Sequence, residues 1–451
     1  MGKRDGFDGS RLQIEYLSVG SLTPDPKNAR KHSSKQIAKL AQIIDKFGFS
    51  TPIIHDEAGM ILAGHARLAA AKSLGMTEVP GIRLSHLNGA EKKALAIADN
   101  AMTDASAFDD KILREVLIDL TGLDFDVGLT GLDVGVIDFL IDGPAGEAAA
   151  DPADQVEDPT RTAPAVSQLG DLWALGSHKL VCGDALDGAA YEALLGSERA
   201  EMIITDPPFN VRVNGHVSGL GKHQHPEFAM ASGEMTDEQF RTFLAGYMRL
   251  VVSYSCDGSI HLHFIDWRHL RLMLEAGDGI YPEVKNLCVW NKTNSGMGSL
   301  WRSKHELVVA FKNGTAPHIN NVELGKHGRH RSNVWEYSGA NSFSATRDQD
   351  LEAHPTVKPI ALVADAMRDC SRRGKIVLDP FMGSGTTILA AQRSGRRAAG
   401  IEIDPYYVDT AIRRWQRDTG KAATLVGDGR TFDAIERERA VPSAVNGEGV
   451  R

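Results

Sequence analysis

Lys375-Ile376-Val377-Leu378-Asp379-Pro380-Phe381-Met382-Gly383-Ser384-Gly385-Thr386-Thr387 is the stretch that decides the fold. Lys375 to Asp379 reads as a buried strand, the two glycines as a turn, and Ile388 to Gln392 as an apolar helix leaving that turn. A glycine-rich turn between strand and helix lets a ligand approach the backbone and meet the positive end of the helix. A phosphate-binding P-loop needs a Lys after the second glycine, where Thr386 stands. A nucleotide-like cofactor is the reading that remains. The next strand, Arg397-Ala398-Ala399-Gly400-Ile401, ends at Glu402, whose carboxylate is placed to accept from the two ribose hydroxyls of an adenosine moiety. The implied fold class is α/β, a doubly wound sheet.

Upstream, Ile203-Ile204-Thr205-Asp206-Pro207-Pro208-Phe209-Asn210 sets an acid, two prolines and an aromatic at the end of another apolar strand. Asp and Pro also suit an ordinary turn. The combination fits a pocket for a flat ring bearing an amino group. That nitrogen is a poor nucleophile while its lone pair is delocalised into the ring. Asp206 and the Pro207 carbonyl would accept its two hydrogens and steer the lone pair at an electrophile, with Phe209 stacked on the ring.

Asp206-Pro-Pro-Phe resembles the catalytic motif of the amino-group DNA methyltransferases. Asp379-Pro-Phe-Met-Gly-Ser-Gly-Thr-Thr and Gly400-Ile-Glu-Ile-Asp-Pro-Tyr-Tyr are similar to that family's S-adenosylmethionine site. The resemblance implies cofactor binding by Asp379, Phe381, Gly383, Gly385, Thr386 and Glu402. His354-Pro-Thr-Val-Lys-Pro359 resembles the segment over the methionine end of the cofactor, which adds His354, Thr356 and Lys358. Leu169-Gly-Asp-Leu-Trp173 and His178-Lys-Leu-Val-Cys-Gly-Asp184 match the family's lead-in to the catalytic strand, and imply that Asp184 lies near the adenine. The catalytic motif precedes the cofactor motif, as in the permuted β-type enzymes, whose target-recognition region lies between the two sites. Here that region is about residues 211–345, within a methyltransferase domain over 168–440. The resemblance implies an N6-adenine or N4-cytosine enzyme, with adenine favoured because Asp is common in the adenine-N6 members and Ser in the cytosine-N4 members.

Residues 1–100 form a smaller α+β domain. Ser34 is expected to cap a helix with Ile37, Leu40, Ala41, Ile43, Ile44 and Phe47 at helical spacing and Gly48 at its end. Pro52 to Leu62 reads as a β-hairpin, and Val79 to Ile82 as a strand. This pattern resembles the ParB/sulfiredoxin-like domain, with Gly64-His-Ala-Arg67 at its Gly-x-x-Arg motif. In the ParB family that loop binds nucleotide phosphates, so Gly64 and Arg67 form a candidate anion site. His65 replaces the acidic residue common in ParB proteins, and no cysteine precedes Cys182, which removes sulfiredoxin chemistry. DNA binding and a structural or oligomerising role both stay open, the first favoured by Lys27, Arg30, Lys31, Lys35 and Lys39. A helical extension is expected over 101–142, a disordered acidic linker over 143–167 and a disordered tail over 441–451.

Length and composition agree. A chain of 451 residues with 42% hydrophobic content supports at least two domains. Four widely spaced cysteines without a Cys-x-x-Cys pair suit a reducing compartment. No apolar run of about 18 residues occurs and the start lacks a signal-peptide core, so a cytoplasmic, membrane-free protein is expected. The net charge of −9 is unevenly spread. Lys285 to Arg331 holds eight basic residues against Glu306 and Glu323. Lys292, Arg302, Lys304, Arg329 and Arg331 there are candidate phosphate contacts to double-stranded DNA, a solvated basic face being the alternative. Trp290, Trp301 and Trp335 are candidates for stacking on bases or for core positions. His216, His223 and His225 sit in a glycine-rich loop, where a mobile cover over DNA is favoured over a metal site, and no metal is expected. Two other classes compete, a ParB-like DNA-binding protein with a non-catalytic methyltransferase fold and an RNA or protein methyltransferase. Homodimerisation is left open. No partner endonuclease is evident, and a fused chain of this kind resembles phage and restriction-modification proteins.

Overall fold

The computed structural model describes residues 12–28, 30–104, 107–123, 125–143, 151–156, 159, 161, 163–210, 233–292, 300–322, 331–338 and 357–439. The chain divides into two compact units, Met1–Asp133 and Val134–Arg451.

The first unit holds a four-stranded sheet built from β1 (Ile14–Ser18), β2 (Ile53–His55), β3 (Ile61–Ala63) and β4 (Glu78–Arg83), in the order β1-β4-β2-β3. The hairpin β2-β3 turns at Asp56, whose Oδ1 accepts from the amides of Ala58 and Met60 at 2.9 Å. The helix Ser34–Phe47 starts one residue earlier than expected, because the Ser33 side chain accepts from Gln36 N–H. It ends at Gly48. Ile53, Ile61, Leu68 and Val79 fill the small core.

The second unit is organised on a ten-stranded sheet. Its strands are β5 (Leu172–Leu175), β6 (His178–Cys182), β7 (Ala200–Thr205), β8 (Ser255–Ile265), β9 (Glu283–Asn291), β10 (His305–Lys312), β11 (Val334–Glu336), β12 (Ile376–Asp379), β13 (Arg397–Glu402) and β14 (Thr424–Leu425). The order is β11-β9-β10-β8-β7-β12-β13-β6-β5-β14. The middle strands, β8-β7-β12-β13-β6, run parallel. Met202 to Ile204 and Ile376 to Leu378 are continuous apolar runs because both faces of the sheet are covered there. On one face Met202, Ile204 and Val377 pack with helices Ile360–Cys370, Thr386–Ser394 and Pro405–Thr419. On the other, Ile203 and Leu378 pack with helices Gly188–Leu195, Asp237–Ser253 and Leu270–Gly277. From β12 the chain winds toward β13, and from β7 it winds toward β8. The direction therefore reverses between β7 and β12, where an open α/β sheet forms its ligand crevice.

The boundary between the units falls inside the stretch expected to be a helical extension. The helix Val134–Asp142 belongs to the second unit, where Asp138 makes a two-pronged ion pair to the fully buried Arg396 at 2.8 and 2.9 Å and also reaches Arg373. The stretch read as a disordered linker is packed at several described residues. Asp154 accepts from Ile360 N–H at 2.8 Å, Val156 and Val166 are buried, and Asp409 accepts from the amides of Val166 and Ser167. Asp151 and Asp154, the acids of this stretch among the described residues, serve as local anchors.

Candidate active site

Four acids lie at or just beyond the carboxyl ends of four neighbouring parallel strands: Asp206 after β7, Asp379 closing β12, Glu402 closing β13 and Asp184 after β6. The pairing of Leu378 with Ile203 sets Asp379 beside Thr205. Thr205 Oγ1 donates to Asp379 Oδ1 at 2.8 Å, Phe381 N–H donates to the same oxygen at 3.1 Å, and Thr387 Oγ1 donates to Oδ2 at 2.6 Å. Asp379 therefore ties both strands to the turn and to the helix that follows. Burial raises its carboxyl to about 6, against the pull of these donors.

The turn after β12 is a cradle. Gly383 and Gly385 have φ of +53° and +87°, the left-handed region. They do different work. A Cβ on Gly385 would lie 2.7 Å from the Ala411 Cβ, so this glycine serves the close packing of helix Pro405–Thr419 rather than a ligand's approach. A Cβ on Gly383 would meet nothing within 4 Å, which leaves open space above the backbone for a ligand. Glu402 Oε2 accepts from Gly383 N–H at 2.8 Å and Oε1 from Asp404 N–H at 2.9 Å, so each oxygen keeps a lone pair for hydroxyls. Burial lifts Glu402 to about 7. Thr386 opens the helix, and Arg414 holds the turn from behind through Ser384 O at 2.7 Å. Phe381 packs edge-on against Tyr247 with ring centroids 5.0 Å apart. Asp184 Oδ1 accepts from Leu186 N–H at 2.8 Å, shaping the loop after β6.

The Asp206 motif is held by a half-buried chain of alternating charges. Lys358 Nζ lies 2.5 Å from Asp206 Oδ2 and 3.1 Å from Glu306 Oε2, and Lys292 Nζ pairs with Glu306 Oε1. Asp206 Oδ1 is shut off from solvent and has no hydrogen-bond partner among the described residues. Burial raises the Asp206 carboxyl, and Lys358 partly offsets that rise. The two lysines overcome burial at Glu306 and hold it down at about 2. Phe209 packs against the core with Lys358 Nζ 5.8 Å from its ring centroid. Asn210, at φ +55°, donates to Met235 O at 2.8 Å and accepts from the amides of Gly233 and Met235, tying residues 233–235 to the end of the Asp206 motif.

The remaining candidates scatter. Lys358, expected over the methionine end of the cofactor, engages Asp206 and Glu306, while His354 and Thr356 lie outside the described residues. Arg302 and Lys304 are exposed. Lys292 is spent on Glu306, and Arg331 is locked inside by Asp369 at 3.0 Å and the Tyr337 hydroxyl at 2.7 Å, so neither is free for phosphate. Arg329, His216, His223 and His225 lie outside the described residues. Trp290 and Trp335 are core residues, whereas Trp301 is 74% exposed. In the first unit Gly64, at φ +106°, starts the helix of Arg67, whose Nε is buried without a partner among the described residues. His65 Nε2 accepts from Asp25 N–H at 3.1 Å, so His65 anchors the Pro-rich loop. Glu306 and Asn210 were missed as site residues. An acid placed immediately before the apolar run Leu307 to Phe311 was the available signal for Glu306.

A doubly wound sheet with a glycine turn at its switch point, flanked by Asp206 and Phe209, has the ligand crevice of an α/β enzyme. The comparisons give the family. Residues 200–413 match the model described as DNA methylase, residues 4–101 the ParB N-terminal domain, and residues 111–169 the ParB-methyltransferase HTH domain. Residues 200–413 thus carry a DNA methylase domain of the N6/N4 type, and the chain also carries a ParB-like N-terminal domain. It is 43% identical over 83 residues to the ParB-like nuclease domain-containing protein YnaK of Escherichia coli, covering 18% of this chain and 95% of that one. It is 25% identical over 294 residues to the type II methyltransferase M.HpaI of Haemophilus parainfluenzae, covering 61% of this chain and 82% of the relative. A solved structure of a putative DNA modification methylase from Thermus thermophilus, complexed with S-adenosyl-L-methionine, is 22% identical over 55% of this chain and 96% of its own, with a TM-score of 0.39. The open space above Gly383 beside Glu402 fits an adenosine-bearing cofactor such as S-adenosylmethionine. Among the described residues no helix is long and apolar enough to cross a membrane.

Proposed function

We propose that this protein is a site-specific DNA methyltransferase that places a methyl group on the N6 amine of adenine in duplex DNA. The observation that carries the reading is Asp206 Oδ1, a buried carboxylate oxygen without a partner among the described residues, beside Pro207 and Phe209. A target base leaves the stack to reach it. Asp206 Oδ1 and the Pro207 carbonyl accept the two amine hydrogens, and Phe209 holds the ring. S-adenosylmethionine, when bound by Gly383, Glu402, Asp379 and Asp184, supplies an electrophilic methyl on a sulfonium. The nitrogen–carbon bond forms as the sulfur–carbon bond breaks, and the extra proton passes to solvent past Asp206. Most of the catalysis is positioning. Exposed Arg302 and Lys304 support phosphate contact, and the ParB-like unit supports a second hold on DNA. The choice of adenine over cytosine rests on Asp at the first motif position, common in the adenine-N6 members. Tritium transfer from labelled cofactor into DNA, RNA and protein in parallel, followed by separation of the labelled nucleosides, tests it. Label in N6-methyldeoxyadenosine is expected. Label only in N4-methyldeoxycytidine overturns the adenine choice, and label only in RNA or protein overturns DNA as substrate.

A further inference from the structure

We propose that Lys358 and Glu306 are positioning residues of methyl transfer, which hold Asp206 so that it offers the target amine one oxygen, Oδ1. This rests on the function proposed above. The four groups come from separate parts of the fold. Asp206 follows β7, Glu306 lies on β10, Lys292 follows β9, and Lys358 precedes helix Ile360–Cys370. Their charges alternate along one half-buried line, Lys292–Glu306–Lys358–Asp206, and sum to zero. Lys358 occupies Asp206 Oδ2 at 2.5 Å and is itself fixed by Glu306 and by the rings of Phe264 and Trp290, 5.2 and 6.0 Å from its nitrogen.

The consequences follow from the geometry. With Oδ2 held by an ammonium, the carboxylate cannot rotate, and only Oδ1 is left for a base. An isolated buried carboxylate would protonate and lose its acceptor, and Lys358 opposes this. Glu306 acts the other way on Asp206. It is a like charge and shares the Lys358 ammonium, so it tempers the pull on Asp206 while orienting the lysine. The other groups facing Asp206 are Lys292, which favours its ionised form, Asp379, which couples to it as a like charge, and the neutral Tyr247. Lys358 itself is held protonated by the two carboxylates and is no proton acceptor.

The test is the acid limb of kcat/KM for methylation of unmethylated bacterial genomic DNA. Activity needs the Asp206 carboxylate, so it falls as pH drops through the Asp206 pKa. Lys358→Met removes the opposite charge, and its limb should move up by about one to three pH units, the usual effect of one close charge. Glu306→Gln, nearly isosteric and the safer variant for folding, removes the like charge, and its limb should move down. Opposite shifts, with cofactor affinity in calorimetry unchanged for both, support the proposal. Lower rates at every pH with unmoved limbs would overturn it, as would loss of cofactor affinity in Lys358→Met with normal chemistry at saturation. A wild-type protein that methylates no DNA sinks the underlying function, an outcome distinct from active enzyme with unmoved limbs.

Discussion

Gly383 and Gly385 share a left-handed backbone, yet alanine should act mainly on cofactor binding at the first and mainly on stability at the second. At Gly385 the new Cβ lies 2.7 Å from the Ala411 Cβ and 3.0 Å from its Cα, both on a packed helix. The left-handed conformation costs an L-residue about 1–2 kcal/mol, and overpacking adds about 1–3 kcal/mol. Gly385→Ala should therefore lose about 2–5 kcal/mol of stability. At Gly383 only the backbone cost applies, because nothing lies within 4 Å of the new Cβ. Gly383→Ala should lose about 1–2 kcal/mol. Its methyl instead enters the space given to the cofactor, and a loss of about 1.4 kcal/mol or more there is a tenfold weaker Kd. Denaturant unfolding and calorimetric titration with S-adenosylmethionine, run on both variants, separate the two effects. The reasoning fails if Gly383→Ala binds the cofactor normally, or if Gly385→Ala is as stable as wild type.

Glu402 titrates near pH 7, so cofactor affinity should rise as pH climbs through about 7, because the ionised form is the better acceptor for hydroxyls; Glu402→Gln should flatten the profile in calorimetry, and a wild-type profile already flat would remove Glu402 from the ribose site. Arg396 is wholly buried on Asp138, so Asp138→Ala should cost about 3–5 kcal/mol in chemical denaturation, the penalty of stranding a buried charge. For the same reason a fragment starting at Val134 should bind cofactor and unfold later than one starting at Thr162, which keeps every methyltransferase motif but lacks Asp138 and Asp154; equal midpoints would contradict this. Trp301→Ala should weaken binding to duplex DNA and leave cofactor affinity unchanged, since the ring is 74% exposed beside Arg302 and Lys304; unchanged DNA affinity in fluorescence anisotropy excludes the contact.

The parallel core was legible because β7, β12 and β13 are short apolar runs ending in an acid, a pattern that needs only local sequence. The glycine turn announced the cradle for the same reason. What escaped the sequence depends on partners distant along the chain. Lys358 meets Asp206 across 152 residues, and Arg396 meets Asp138 across 258. An acid-rich stretch such as 143–167 looks solvated until Asp154 is seen accepting from the helix at Ile360. Basic residues misled in the same way. Arg331 and Lys292 count as surplus charge in the sequence, yet both are neutralised inside the fold. The separate duties of Gly383 and Gly385 also needed the structure, since only the packed helix at Ala411 distinguishes them.

Methyltransferase-free bacterial cells expressing the wild-type chain or Asp206→Ala, with their genomic DNA compared by modification-sensitive sequencing, put the central claim to its most direct trial. The account predicts methylated adenines at one recurring sequence with the wild type. With Asp206→Ala that signal should fall by about 10²-fold or more, because the variant lacks the acceptor that activates the amine. Equal methylation by the two proteins, or unmodified DNA from the wild type, would contradict it.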